Sequence, residues 1–419
     1  MGDVAMLQVA VQRLHGLWPS AEIYVFTKAP EALAIHCPNV RPLSHEGRRL
    51  WFSDQALLGG LERHAPGGVR KVKTRFAAWL RRRWPTFLER LQRAKAGLRH
   101  RGDERRRDFL EQLAHADLYV VSGAALLNDK NTSSAVMVLQ TMELAARRGV
   151  PVVMMSQGVG PLRDPVLIEK AKSVLPTVRL IALREGLVGT VLLTSLGVSA
   201  ERLIVTGDDA VELARSVARP VSGPGIGVNL RVAKSTDVPA DFIEPIRLAL
   251  QKAARRFGAP LIPIPIAFHS SADDPRWIKE VLAGYEGESD GGQELATPRD
   301  VVEQAGRCRI AVTAAYHAGV FAIAQGIPVI ALVYNEYYEL KFRGLGDMFS
   351  GGCELIRLES PTLSEDLTAA IERAWSEAGT LRPKLEKAAD RQVALSAEAY
   401  RRIQEIVEER HELARAGAL

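Results

Sequence analysis

The stretch Thr313–Tyr334 reads TAAYHAGVFAIAQGIPVIALVY, and its interpretation decides the fold. From Ile310 to Asn335 no residue is charged, yet a histidine, His317, sits in the middle. An apolar run of ~20 residues is long enough to cross a bilayer. Gly326-Ile327-Pro328 interrupts this one, because glycine favours a turn and proline cannot continue a helix. What remains is a helix of about ten residues and a short β-branched strand, neither of which spans a membrane. Such pieces are uncharged where a parallel sheet is covered on both faces. The stretch is therefore read as a strand–helix–strand unit of an α/β protein.

Similar units recur on the N-terminal side. A helix over Gly2–Trp18 precedes strands at Glu22–Thr27 and Val40–Leu43. The strand Asp117–Val121, a helix from Ser134 to Arg148 and the strand Pro151–Met155 come next. The strand Val178–Leu183, the helix Gly186–Leu196 and the strand Leu203–Thr206 complete that series. Pro, Gly and Ser then concentrate in Ala218–Gly225, which reads as a linker. A second series runs Ile226–Leu230, helix Phe242–Phe257, Pro260–Ile266 and a helix near Trp277, then the quoted unit, with helical sequence from Ser364 on. This alternation predicts an α/β fold of two Rossmann-like, doubly wound parallel-sheet domains facing a cleft. Their expected bounds are 1–217 and 218–375, with C-terminal helices over 376–419. A chain of 419 residues suits two domains.

A hydrophobic content of 47% and a charged content of 25% are those of a soluble globular enzyme. The start, MGDVAMLQVAVQRLHGLW, has no basic stretch leading into a continuous apolar run, so no signal peptide is expected. Cys37, Cys308 and Cys353 are widely separated, which argues for a reducing compartment and against a disulfide framework or zinc knuckle. The expected location is cytoplasmic. The net charge of +6 is concentrated in 61–107, where sixteen Lys/Arg face four Asp/Glu. That segment, expected to form helices broken at Pro85 and Gly102, also carries Phe76, Trp79 and Trp84. Basic helices with aromatic residues can lie on anionic membrane surfaces. The plain alternative is a solvated face packing its aromatics on the first domain. Nucleic acid is not an expected partner, since no recognised nucleic-acid module accompanies the charge.

In open α/β sheets, ligands bind beyond the carboxyl ends of the strands. Four segments fall there: SGAALLND (122–129), SQGVGPLRD (156–164), NLRVAK (229–234) and TAAYH (313–317). His317, at the start of a helix after a buried strand, faces the crevice or is a histidine satisfied inside the core. An imidazole in the crevice would titrate near neutrality and suit acid–base work. Arg231 follows a strand of the second half and could clamp a carboxylate or phosphate. His269 and the pair Asp273–Asp274 also follow a strand end, although adjacent aspartates equally suit a helix cap. There is no metal-ligand constellation, GxxxxGK[ST] loop or G-x-S-x-G elbow.

Taken in order, GDVAML, SGAALLND, SQGVGPL, IALREG, VTGDDAVEL, IGVNLR and AVTAAYHAGVFAIAQGIPVIALVYNEYYELKFRGLGDMF resemble the polysaccharide pyruvyl transferase family. The resemblance covers nearly the whole chain apart from the basic segment and the C-terminal helices. It implies a GT-B-like fold and transfer of the enolpyruvyl group of phosphoenolpyruvate onto sugar hydroxyls as a ketal, releasing phosphate. The implied partners are phosphoenolpyruvate, as donor substrate with no further cofactor, and a polysaccharide or lipid-linked sugar acceptor. On this reading His317 is catalytic, moving a proton or stabilising the leaving phosphate. Arg231, Lys341, Tyr316 and Thr313 belong to the donor site. Asp3, Gly123, Asn128, Gln157, Gly158, Arg184 and His269 line the cleft or the acceptor side.

Three departures stand out. Many members carry Arg two residues before the histidine, where this chain has Ala315, so Lys341 or Arg343 would supply the cation. A glycine triplet after the fourth strand is here Gly123-Ala124-Ala125. The family's strand before GD-x-A has no counterpart here, so the N-terminal sheet is expected to lack its first strand. Two other functions share the fold. A nucleotide-sugar glycosyltransferase needs an acidic residue for a ribose, with Glu336 and Glu339 as candidates. A catalytically silent glycan-binding relative would fit Ala315.

Overall fold

A computed structural model describes residues 1–52, 102–123, 125, 127–218, 223–231, 240–269, 272–285 and 289–416. Most of the basic segment, 61–101, lies outside the described residues, as do 219–222 of the expected linker, so the membrane-surface expectation falls outside them too. No helix among the described residues is long and apolar enough to cross a membrane.

The first half opens with α1 (Gly2–Leu17), β1 (Tyr24–Thr27), α2 (Pro30–His36), β2 (Arg41–Ser44) and α3 (His45–Phe52). It continues with α4 (Gly102–His115), β3 (Tyr119–Ser122), α5 (Thr132–Arg147), β4 (Val152–Gln157) and α6 (Pro165–Val174). Then come β5 (Leu180–Leu183), α7 (Gly189–Ser195), β6 (Leu203–Val205) and α8 (Ala210–Ser216). In the second half β7 (Gly225–Asn229) leads to α9 (Ile243–Phe257), β8 (Leu261–Pro263), β9 (Phe268–His269), β10 (Ala272–Asp273) and α10 (Asp274–Leu282). After α11 (Pro298–Ala305), β11 (Cys308–Thr313), α12 (Tyr316–Ile323) and β12 (Val329–Val333) form the predicted unit. The chain ends through α13 (Glu336–Met348), β13 (Cys353–Arg357) and α14 (Leu363–Arg415).

The second half carries a five-stranded sheet in the order β13-β12-β11-β7-β8, with parallel pairing throughout. Its register sets Thr313 beside Asn229 of β7 and Ala331 of β12, so the loops that could hold a ligand leave together. The first half carries a four-stranded parallel sheet, β3-β4-β5-β6. Its strands β1 and β2 pair only with each other. No hydrogen-bonded strand joins this pair to the four-stranded sheet among the described residues.

Every residue of β4, β5, β7 and β12 is buried. The alternation of faces explains this. Val153, Met155, Leu180 and Ala182 pack on Ala399, Tyr400 and Ile403 of α14, whereas Val152, Met154 and Ile181 pack with Leu139, Met142 and Leu167 of α5 and α6. α12 is apolar all round and buried, as a helix enclosed within a domain must be. Gly326, with φ +79°, makes the turn that ends this helix and starts β12, a conformation that costs glycine little.

Two expectations need correction. The C-terminal helices are one helix of 53 residues that passes through Pro383. An interior proline costs about 3 kcal/mol. Burial of Ala374 and Ala378 on one side and Leu385 and Ala389 on the other keeps the helix continuous. In addition, α2 and α3, absent from the sequence reading, flank β2. The two halves meet in a shared apolar cluster, where Ala5, Met6, Ala210 and Val211 touch the group containing Ala318, Phe321, Phe342 and Leu345. The candidate site lies at this junction.

Candidate functional site

β11 ends at Thr313, whose hydroxyl accepts the N–H of Ala315 and donates to the Ala315 carbonyl, both at 2.9 Å. This closed turn starts α12 and delivers His317 to its first helical turn. Thr313 is buried and its hydroxyl is committed, so it builds the turn and does not present a group to a donor. Tyr316 is likewise buried. Its ring meets His317 edge-on at 5.3 Å and lies beneath the Arg184 guanidinium at 5.6 Å and the Lys341 ammonium at 5.0 Å.

The His317 side chain is 12% exposed, and its Nε2 stands 3.6 Å from Oδ2 of Asp208. Neither atom has a hydrogen-bond partner among the described residues. Asp208 follows β6. Its Oδ1 accepts the N–H of Ala210 at 2.9 Å, and its Oδ2 lies 3.1 Å from Arg184 Nε. Arg184 itself donates from Nε to the Ser156 carbonyl at 2.8 Å. Against the imidazole packs Gly2, where a Cβ would fall 2.0 Å from His317 Cγ. Only glycine permits that approach, which gives a physical reason for the glycine that opens GDVAML.

Charge follows from this packing. Burial, reinforced by Arg184, Lys341, the Met1 amine and Arg231, holds the His317 imidazole well below its ordinary pKa. Burial and then Arg184 push the Lys341 ammonium down to about 8. Burial pushes the Asp208 carboxyl up, against the pull of Arg184. The centre therefore combines a neutral imidazole with cations drawn from both halves.

Arg231 is held by a bidentate pair to Asp274, with Nε and Nη2 each 2.7 Å from a carboxylate oxygen. Asp274 is fully buried and also accepts from the N–H groups of Ile266 and Ala267 and from Asn229 Nδ2. Asp273, its neighbour, is the helix cap anticipated for one of the two, accepting from Arg276 N–H.

Of the predicted residues, the fold gathers His317, Tyr316, Arg184, Lys341 and Arg231. Asp3, exposed in the first turn of α1, acts electrostatically on Arg184, Asp208 and Lys341. Others hold backbone. Gln157 Nε2 donates to the carbonyls of Val121, Gly123 and Met155, and Asn128 caps the 129–131 turn by accepting from Lys130 N–H. Gly158 lies near Ala125 and the Arg184 stem. His269 is exposed on the short β9–β10 pair. Of the two candidate cations, Lys341 reaches the Tyr316 ring beside His317, whereas Arg343 sits two positions on, about 200° around α13. There Arg343 pairs with Glu339 at 2.9 Å and lines a separate cavity of about 520 Å³ with Arg357 and Arg373.

Two acidic residues, Asp208 and Asp209, were missed, and Asp274 was noted only as one of a pair. Asp208 and Asp209 stand in VTGDDAVEL at a strand end, and Asp274 follows β10. Adjacent carboxylates after an apolar strand were the available signal, but their partners lie far off in sequence. Asp209 accepts from Ser396 and Tyr400 of α14 at 2.9 and 3.1 Å, and burial pushes its carboxyl up to about 7.

The model of the family described as polysaccharide pyruvyl transferase matches residues 1–336. Among solved structures, UDP-GlcNAc 2-epimerase from Neisseria meningitidis bound to UDP-GlcNAc aligns at 10% identity with a TM-score of 0.51, covering 97% of each chain. A UDP-N-acetylglucosamine 2-epimerase aligns at 13% identity and 0.50, covering 100% of this chain and 94% of its own. The glycotransferase of kitacinnamycin aligns at 11% and 0.50, covering 98% and 95%. At such identities the likeness concerns the fold, which is GT-B-like. Comparison with curated proteins gives no match.

Proposed function

Since the chain belongs to the polysaccharide pyruvyl transferase family, we propose that it transfers the enolpyruvyl group of phosphoenolpyruvate to sugar hydroxyls, forming a pyruvate ketal and releasing phosphate. The observation that carries this reading is the near-buried imidazole of His317, ringed by Arg184, Lys341 and Arg231. A small donor bearing both a carboxylate and a phosphate would add negative charge beside these cations. Lys341, over the Tyr316 face, takes the part of the cation absent at Ala315, and Arg231 is pre-oriented by Asp274. His317 is placed for proton transfer to the donor's methylene carbon. The acceptor, a polysaccharide or lipid-linked glycan, approaches from the first half.

The glycosyltransferase alternative has less support. Glu336 pairs with Arg163 at 2.7 and 2.9 Å, and Glu339 with Arg343 and Arg357, so both candidate ribose acids are engaged.

The test is incubation with phosphoenolpyruvate and candidate oligosaccharides. Acceptor-dependent phosphate release supports the proposal. Turnover of a sugar nucleotide instead would replace it with glycosyl transfer, and glycan binding without any turnover would make the chain a silent relative.

A further inference from the structure

We infer that Asp208 is the positioning partner of His317, and that these two groups take up one proton together when the anionic donor enters. The inference rests on the donor reading above but concerns a residue outside it.

The geometry points to a missing proton. Asp208 Oδ2 and His317 Nε2 face each other at 3.6 Å, are buried, and have no hydrogen-bond partner among the described residues, with Arg184 Nε ion-paired to Oδ2 at 3.1 Å. Buried polar atoms are rarely left so, and a proton held between this ring nitrogen and this carboxylate oxygen would satisfy both. The remainder of Asp208 is fixed, through Oδ1 to Ala210 N–H, so the carboxylate cannot turn away without losing a bond. The pair also joins the halves, with Asp208 at the end of β6 and His317 on α12.

What keeps the proton out is visible around the ring. Burial disfavours an imidazolium most, and Arg184 from the end of β5, Lys341 from α13, the Met1 amine before α1 and Arg231 from the end of β7 add to it. Tyr316 and Phe321 contribute aromatic rings, and Asp3 is the acidic group on α1 nearby. A donor carboxylate and phosphate neutralise these cations. The imidazolium then becomes favourable, and the 3.6 Å gap contracts to a charge-assisted hydrogen bond of about 2.7–2.9 Å.

The chemistry then balances. The imidazolium gives its proton to the methylene carbon, whose π electrons form the methyl C–H bond. A sugar oxygen bonds to the adjacent carbon, and its proton returns to the Asp208–His317 pair. The second sugar oxygen displaces phosphate, which leaves with the second hydroxyl proton. One hydroxyl proton thus ends in the methyl group and the other on phosphate.

The experiment is calorimetry of phosphoenolpyruvate binding to the full chain at pH 7, in buffers of different ionisation enthalpy. Lys341, with its pKa near 8, is mostly protonated there. A slope corresponding to uptake of about one proton is expected for the native chain. Asp208→Asn and His317→Gln should bind with that slope reduced to near zero, and Asp208→Glu should restore much of it. Because Asp208→Asn also alters a buried ion pair with Arg184, imidazole ¹⁵N NMR of the native chain with and without phosphoenolpyruvate gives a second reading. The His317 signal should move from neutral to protonated. Binding with a buffer-independent heat and an unmoved signal overturns the inference. Absence of phosphoenolpyruvate binding overturns the donor reading instead.

Discussion

Two arginine–aspartate pairs converge on His317, one from each half, and they are finished to different degrees. Arg231–Asp274, in the second half, is bidentate at 2.7 Å, and three further N–H groups saturate the carboxylate. Arg184–Asp208, in the first half, makes one approach of 3.1 Å, to Oδ2, which has no hydrogen bond among the described residues. A saturated buried pair fixes geometry, while an unsatisfied one retains capacity for another proton or ligand. On the proposed reading, the second half would provide a rigid anion clamp and the first half the group that can change state.

This contrast is easy to break. The largest effect is expected at the ring between the pairs: His317→Gln should lower kcat about 10²–10⁴-fold, with melting temperature nearly unchanged, as read by phosphate release and thermal denaturation. A parallel loss of folding would return the histidine to the core. Next, Asp274→Asn presents an amide to donors that need an acceptor and should cost about 3–5 kcal/mol in denaturant unfolding. A variant of near-native stability would mean that the clamp is not a structural element.

Asp209, beside the unsatisfied pair, tests the pH behaviour of the first half. Its folded pKa of about 7 lies above the ordinary 3.8, so the folded chain binds the extra proton between those values. Its contribution is fully present below the ordinary value and is lost as pH rises towards 7. Asp209→Asn should gain stability relative to the native chain as pH climbs through that window, then level off. A pH-independent difference would contradict this. The smallest effect belongs to a pair outside the centre: Arg163→Ala removes an exposed bridge to Glu336 and should change unfolding free energy by no more than about 1 kcal/mol.

Much of the fold was legible because it is written locally. Uncharged β-branched runs and the Gly326–Pro328 break mark strands and turns without reference to distant residues. The same locality revealed His317, at a strand end. It misled at Thr313, Asn128 and Gln157, where polar side chains at strand ends hold the backbone. Asp208 was beyond reach, since its meaning depends on a histidine more than a hundred residues away. The continuity of α14 past Pro383 was hidden for the same reason, as buried neighbours from both halves decide it.

That long helix has a mechanical consequence. The 32 residues after Pro383 extend about 48 Å at 1.5 Å per residue. A bend of only about 5° at the proline would move the far end by about 4 Å over that length. Slight flexing in the middle of the rod would thus be amplified at the β-sheet surface on which Tyr400 and Ile403 rest.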